Sequence, residues 1–215
     1  GLGEHRLRPL PLPASVRPAS LFPVDPGIRL FRNHHRDFPG AAFNPCRGGA
    51  TRFAPLLTPA GTCIPTFYAA TTFDGAAYET MFRDPPSKYG GYRRQLIEER
   101  GVSVISPGRT LRLVGLFTPE LRRLGIPPEE MFRAHDSVYP FCRALAELAW
   151  RDNPDADGIV WSSVRDSAAR AMLLFGDRLG PADFSVESVR LVETDPTLLD
   201  ELNDTAARCG SFIAR

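Results

Sequence analysis

The stretch Thr66-Phe67-Tyr68-Ala69-Ala70-Thr71-Thr72-Phe73-Asp74-Gly75-Ala76-Ala77-Tyr78-Glu79 decides the fold. Its first five residues combine a β-branched residue, two aromatics and small alanines, which predicts a strand over 66–70. Thr72 or Asp74 then caps a helix over Gly75–Arg83, which Pro85-Pro86 stops. Upstream, a first strand is expected at Ile28–Arg32, followed by a long Gly/Pro/Asn-rich loop from Asn33 to Thr51. Long structureless loops in compact domains are frequently functional. Downstream, Tyr92–Arg100 reads as a short charged helix stopped by Gly101. Strands are expected at Val102–Ser106 and Thr110–Phe117 around a Pro-Gly turn. Thr118-Pro119-Glu120 has the cap-then-proline form of a helix start. Ser137–Arg151 carries Val138, Phe141, Cys142, Leu145, Leu148 and Ala149 at helical spacing and is the clearest amphipathic helix. Strands Gly158–Ser162, Ala171–Phe175 and Val186–Val192 and a closing helix Thr197–Ala207 complete the series. Strands and helices mix without strict alternation, which argues for an α+β fold rather than a doubly wound sheet.

Composition bounds the rest. The 215 residues have 43% hydrophobic and 24% charged content and a net charge of +1. These values describe a globular chain and exclude disorder or a coiled coil. No run approaches the roughly 20 apolar residues of a spanning helix, so no membrane association is expected. The first 26 residues hold six prolines (Pro9, Pro11, Pro13, Pro18, Pro23, Pro26) and cannot form a regular helix. They read as a strap over the domain or a mobile arm, giving an arm over 1–27 and a domain over 28–215. They also lack the apolar core of a signal peptide, so a cytoplasmic protein is expected. Among 26 cationic residues only Lys88 is lysine; the others are arginines. An arginine-rich coding bias explains this more simply than selection for phosphate forks. With 25 acidic residues in balance and no basic run, direct nucleic-acid binding is not indicated.

Cys46, Cys63, Cys142 and Cys209 are widely spaced, and the histidines form no H-E-x-x-H. No metal site is indicated, and the cysteines are expected to be mostly buried free thiols. No dinucleotide-binding G-x-G-x-x-G follows a strand, no P-loop exists, and no G-x-S-x-G elbow appears. Any chemistry must therefore come from residues that converge in space.

Four ordered pieces stand out: Leu30-Phe31-Arg32; Gly48-Gly49-Ala50-Thr51-Arg52-Phe53; the Thr66–Ala70 strand with Ala76-Ala77-Tyr78-Glu79; and Asp157-Gly158-Ile159-Val160-Trp161-Ser162-Ser163-Val164-Arg165. Together they resemble the RES domain, named for its Arg, Glu and Ser, from about Ile28 to Val192. The run Leu174-Phe175-Gly176-Asp177-Arg178 also fits some members. The resemblance implies an α+β fold of ADP-ribosyltransferase-like mixed sheets with surrounding helices. It implies a toxin of a bacterial toxin–antitoxin pair that consumes NAD+ as substrate, without a further cofactor, at the nicotinamide–ribose bond by phosphorolysis or hydrolysis. The partner it implies is an antitoxin with a helix-turn-helix domain; the sequence leaves a homo-oligomer open.

The residues suit that chemistry. Cleavage at the ribose develops positive charge on the sugar, as in glycoside hydrolysis, and a carboxylate can stabilise it. Glu79 is the candidate. Guanidinium forks are the natural diphosphate clamp where no P-loop exists, and Arg32 and Arg52 match the family's arginines. Arg52 follows Gly48-Gly49, where a backbone can approach a ligand closely. Tyr68 could stack on nicotinamide. Ser163, with Ser162 as its rival, could orient a ribose hydroxyl or the acceptor. Tyr139, at the start of the amphipathic helix, is a weaker match because Pro140 follows it. His34-His35-Arg36-Asp37 in the long loop reads as solvated or as a flap over the ligand. Two other readings share these residues: a protein ADP-ribosyltransferase, and a module that binds a nucleotide and leaves it intact.

Overall fold

The structure, a computed structural model, describes residues 10–83, 91–132, 136–163 and 165–214. The expected Pro85-Pro86 stop, Lys88, Val164, His5 and His135 lie outside the described residues. In chain order the elements are β1 (Leu21–Val24), β2 (Leu30–His35), β3 (Leu56–Leu57), β4 (Cys63–Ile64), β5 (Thr66–Ala70), α1 (Phe73–Glu79), α2 (Arg94–Glu98), β6 (Arg100–Pro107), β7 (Leu111–Gly115), α3 (Thr118–Arg123), α4 (Pro128–Met131), α5 (Tyr139–Asp152), β8 (Gly158–Ser162), β9 (Arg170–Phe175), β10 (Phe184–Leu191) and α6 (Pro196–Arg208). The fold is α+β. Among the described residues eight strands form one sheet in the order β1-β7-β8-β9-β5-β2-β6-β10, and within it only β7 and β8 run parallel. Among the described residues no helix is long and apolar enough to cross a membrane.

The sheet is nearly divided in its middle. β2 pairs with β6 along its whole length, Leu30 to His35. It meets β5 at one pair, Phe31 with Ala70. The next antiparallel pair would set Asn33 opposite Tyr68, and it is not made. Asn44 instead exchanges backbone hydrogen bonds with Thr66 at the far end of β5 (2.7 and 3.0 Å). Three clusters of buried side chains hold this arrangement. One packs α5 and the 53–56 segment on Trp161 and Phe175. A second joins Leu30, Phe67 and Phe184, whose two rings stack with centroids 5.5 Å apart. The third binds α1 to α6 through Ala77, Tyr78, Leu198 and Leu202.

Several family-like pieces turn out to be structural. Asp157 accepts two hydrogen bonds from the Arg109 guanidinium (2.6 and 2.9 Å) and one from the Arg112 backbone (2.8 Å), pinning β7 to β8. Gly158 has no room for a side chain, because a Cβ there would stand 2.2 Å from the Leu173 carbonyl. Arg178 closes the end of α5 by donating to the carbonyls of Trp150, Asn153 and Ala156.

Some expectations are corrected. The cysteines are not all free: Cys46 and Cys63 form a disulfide, with Cα atoms 6.1 Å apart. The turn at Cys46, in the left-handed region at φ 60°, and the β3–β4 hairpin bring together residues that the sequence separates. Cys142 is a buried free thiol and Cys209 an exposed one. Residues 10–20 form the strap rather than a mobile arm: Val16 is buried, and the Ser15 hydroxyl donates to Asp152 on α5 (2.7 Å). Residues 21–24, within the expected arm, are an edge strand of the sheet. The loop expected from Asn33 begins three residues later, because β2 runs on to His35 and His34 is buried, sharing a hydrogen bond with Ser103 on β6 (2.8 Å). The helix expected over 92–100 is shorter, since Arg100 and Gly101 already pair with β2.

Thr72 is the cap of α1, accepting from the Gly75 N–H (2.9 Å) and donating to Asp166 (2.8 Å). Thr72→Ala removes both bonds and is expected to cost about 1–2 kcal/mol. The thermal midpoint should fall by roughly 2–4 °C per kcal/mol in a domain of this size. Thermal unfolding of the two proteins side by side checks this.

Candidate active site

The gap between β2 and β5 opens into a cavity of about 710 Å³. Arg32, Arg52, Tyr68, Glu79 and Tyr139, five of the residues singled out in the sequence, line it. They arrive from β2, the turn after Gly48-Gly49, β5, the end of α1 and the start of α5. Ser163 is buried behind Glu79, and its hydroxyl donates to Glu79 Oε1 (2.8 Å). Ser162 is exposed. The two serines thus differ sharply, and Ser163 is the one joined to the acid.

Glu79 is the electrostatic centre. Burial pushes its carboxyl above the usual range, because a charge taken from water loses solvation. The Ser163 hydroxyl pulls it back, then the positive charges of Arg52 and Arg165, without cancelling the burial. The buried Trp161 N–H finds no partner of good geometry, and its pull on this carboxyl is the weakest of the four.

Tyr68 is half-buried, and its inward-facing hydroxyl braces the turn carrying Arg52. It accepts from the Phe53 N–H (3.0 Å) and shares a hydrogen bond with Thr51 Oγ1 (2.9 Å). Burial pushes this phenol up to about 12, so it stays neutral at ordinary pH. The turn is fixed further by Arg143, which donates to the Thr51 carbonyl (3.3 Å). Gly48, at φ +91°, gives the loop a bend that other residues rarely adopt. Arg52 itself donates to the Met131 carbonyl (2.7 Å) and lies 5.5 Å from the centre of the Tyr139 ring. Arg32 is only 6% exposed; its guanidinium donates to the Gly40 carbonyl (2.8 Å) and stacks 4.0 Å over Phe67. Burial lowers its pKa to about 10, which leaves it charged.

Of the 34–37 segment, His34, His35 and Asp37 all line the cavity, His34 buried, His35 half-buried and Asp37 exposed. Burial lowers the His34 pKa, with the charges of Arg32 and Arg100 adding to the effect. Sequence reasoning missed Arg83 and Arg100, which also line the cavity. Nothing local distinguishes them among so many arginines. Arg165, present at the end of a quoted piece but given no role, lines it too. Among the described residues no three His, Cys, Asp or Glu side chains converge to hold a metal ion.

Residues 28–196 match the RES domain, and the chain belongs to that family. The fold is similar to that in a crystal structure of the M. tuberculosis MbcT–MbcA toxin–antitoxin complex. The TM-score is 0.61 at 15% identity, covering 84% of this chain and 91% of that one. No curated protein matches the sequence.

The raised Glu79 pKa has a consequence for stability. Below the ordinary carboxyl value of 4.5 the group is protonated whether folded or unfolded, and burial costs little. As pH rises through the elevated folded value, the buried charge destabilises the fold. Glu79→Gln is therefore expected to melt at a higher temperature than the parent at pH 8, with the gain fading toward pH 4.5. Thermal midpoints across that pH range measure it; a gain that grows as pH falls contradicts the assignment.

Proposed function

We propose that this chain is the toxin of a toxin–antitoxin pair and that it depletes NAD+ by cleaving the nicotinamide–ribose bond. The observation that carries the reading is Glu79, held by Ser163 at the side of an arginine-lined cleft where the sheet parts. Family membership and the similar toxin–antitoxin structure support the toxin role, and an antitoxin, of helix-turn-helix type by the family resemblance, is the proposed partner.

In this mechanism the C1′–N bond breaks and its electron pair passes to the pyridinium nitrogen, so nicotinamide leaves neutral. The positive charge moves onto the ribose, and the Glu79 carboxylate faces it. Ser163 holds that carboxylate in place and does not itself attack. Water then adds to C1′ and loses a proton to the surrounding solvent, or phosphate dianion adds directly, leaving ADP-ribose or its 1-phosphate. Tyr139 and the ring of Tyr68 offer flat apolar surface for the base. Arg52 and Arg32 supply positive field toward the diphosphate.

The experiment is product analysis. The pure protein is incubated with NAD+ at two phosphate concentrations, and free nicotinamide is measured. Nicotinamide should appear, and Glu79→Gln should lower the rate by about 10²–10³. Bound but intact NAD+ would turn the reading into that of a binding module. Label from NAD+ on a single protein band in lysate would turn it into ADP-ribosyl transfer.

A further inference from the structure

Six arginines face the cavity, Arg32, Arg47, Arg52, Arg83, Arg100 and Arg165, against two carboxylates, Asp37 and Glu79. They are not equally available to a ligand. Arg32 is spent on the Gly40 carbonyl and the Phe67 face, Arg52 on the Met131 carbonyl, and Arg165 on the Phe82 carbonyl (2.5 Å). Arg100 differs. It begins β6 opposite His35, is half-buried, and lines the cavity. Among the described residues its guanidinium has no hydrogen bond and no ion pair. Its neighbour Glu99 lies 3.8 Å from the His35 ring instead.

The charge closest in effect to Arg100, after Glu99, is a like one. Arg83 repels it, and burial withholds the water that would screen the pair. Arg83 also lies 5.7 Å from the centre of the Tyr139 ring, which it shares with Arg52. Two cations lining one cavity, one of them with no hydrogen bond or ion pair among the described residues, raise the energy of the empty pocket. A doubly charged anion between them removes that cost and forms charge-assisted hydrogen bonds. The placement also fits. Arg83 follows Glu79 by four residues, and Arg100 stands opposite the last residue of β2, away from the Phe31–Ala70 closure.

We propose that Arg83 and Arg100 form the clamp for the diphosphate of the dinucleotide, a task the sequence had given to Arg32 and Arg52. This rests on the dinucleotide reading of the pocket and refines it. Arg52 then acts beside Glu79, and Arg32 is a wall residue whose guanidinium organises the 32–40 turn. Guanidinium forks match phosphate oxygens in a way a lysine would not.

Calorimetric titration of the full chain with ADP and with adenosine tests the clamp without requiring turnover. The parent should bind ADP at least about tenfold more tightly than adenosine, and Arg100→Gln and Arg83→Gln should each remove about tenfold of that preference. Adenosine binding should be unchanged, and Arg122→Gln, on an exposed helix surface, should have no effect. Burial, with Arg83 adding to it, disfavours the Arg100 charge more than Glu99 favours it, so the thermal midpoint of Arg100→Gln should equal or exceed the parent's, which shows that a loss of binding is not a loss of folding. In turnover, the KM for NAD+ should rise about tenfold with kcat nearly constant. Equal binding of ADP and adenosine by the parent, or an Arg100→Gln protein that keeps its ADP preference, overturns the clamp. Either result leaves nicotinamide release untouched as a separate measurement. A protein that prefers ADP through this pair yet leaves NAD+ intact keeps the clamp and refutes the cleavage. A pair that ignores ADP but binds an acidic peptide assigns the charges to a protein partner instead.

Discussion

One backbone pair, Phe31 with Ala70, joins the two halves of the sheet, and the site depends on how little else joins them. Had the ladder continued to Asn33 and Tyr68, there would be no cleft. Past the closure, β2 is satisfied by β6 on one side, and Asn44 takes up the Thr66 edge of β5. The open strand edges are thus partly filled by a loop rather than by a neighbouring strand. The space between them is where side chains from both halves meet. The buried clusters on either side keep the halves apart at a fixed spacing, because close-packed interiors deform little.

Within that cleft, desolvation and positive charge oppose each other at Glu79, and desolvation wins. A carboxylate surrounded by arginines would ordinarily be held low. Here the strongest restraint is a neutral hydroxyl, from Ser163, and the guanidinium groups act from farther off. The arginines nearest to it are tied to carbonyl oxygens of the 131–132 and 82–83 segments, so their charge is fixed in direction while their donors are partly used.

Local patterns carried much of the architecture. β5 and β8 run over the residues their aromatic and β-branched content indicates, and α5 follows its apolar spacing. Errors fell where long-range pairing decides. Arg100 looks like the end of a charged helix, yet β2 claims its backbone. His34 looks like loop, yet Ser103 on β6 receives it. The Cys46–Cys63 bond joins residues whose approach depends on a turn and a hairpin that composition does not reveal. The same holds for the site. The grouping of Arg32, Arg52, Tyr68, Glu79 and Ser163 followed from ordered family-like pieces. Which arginines are already occupied, and which serine is covered, could be read only from their neighbours in space.

The disulfide has a topological result. With its partners 17 residues apart, it closes a covalent ring that contains Gly48, Gly49 and Arg52. A protease that severs one peptide bond inside this ring releases nothing. The nicked chain keeps its mass apart from one added water, and divides into two pieces only after a reducing agent opens the sulfur bridge.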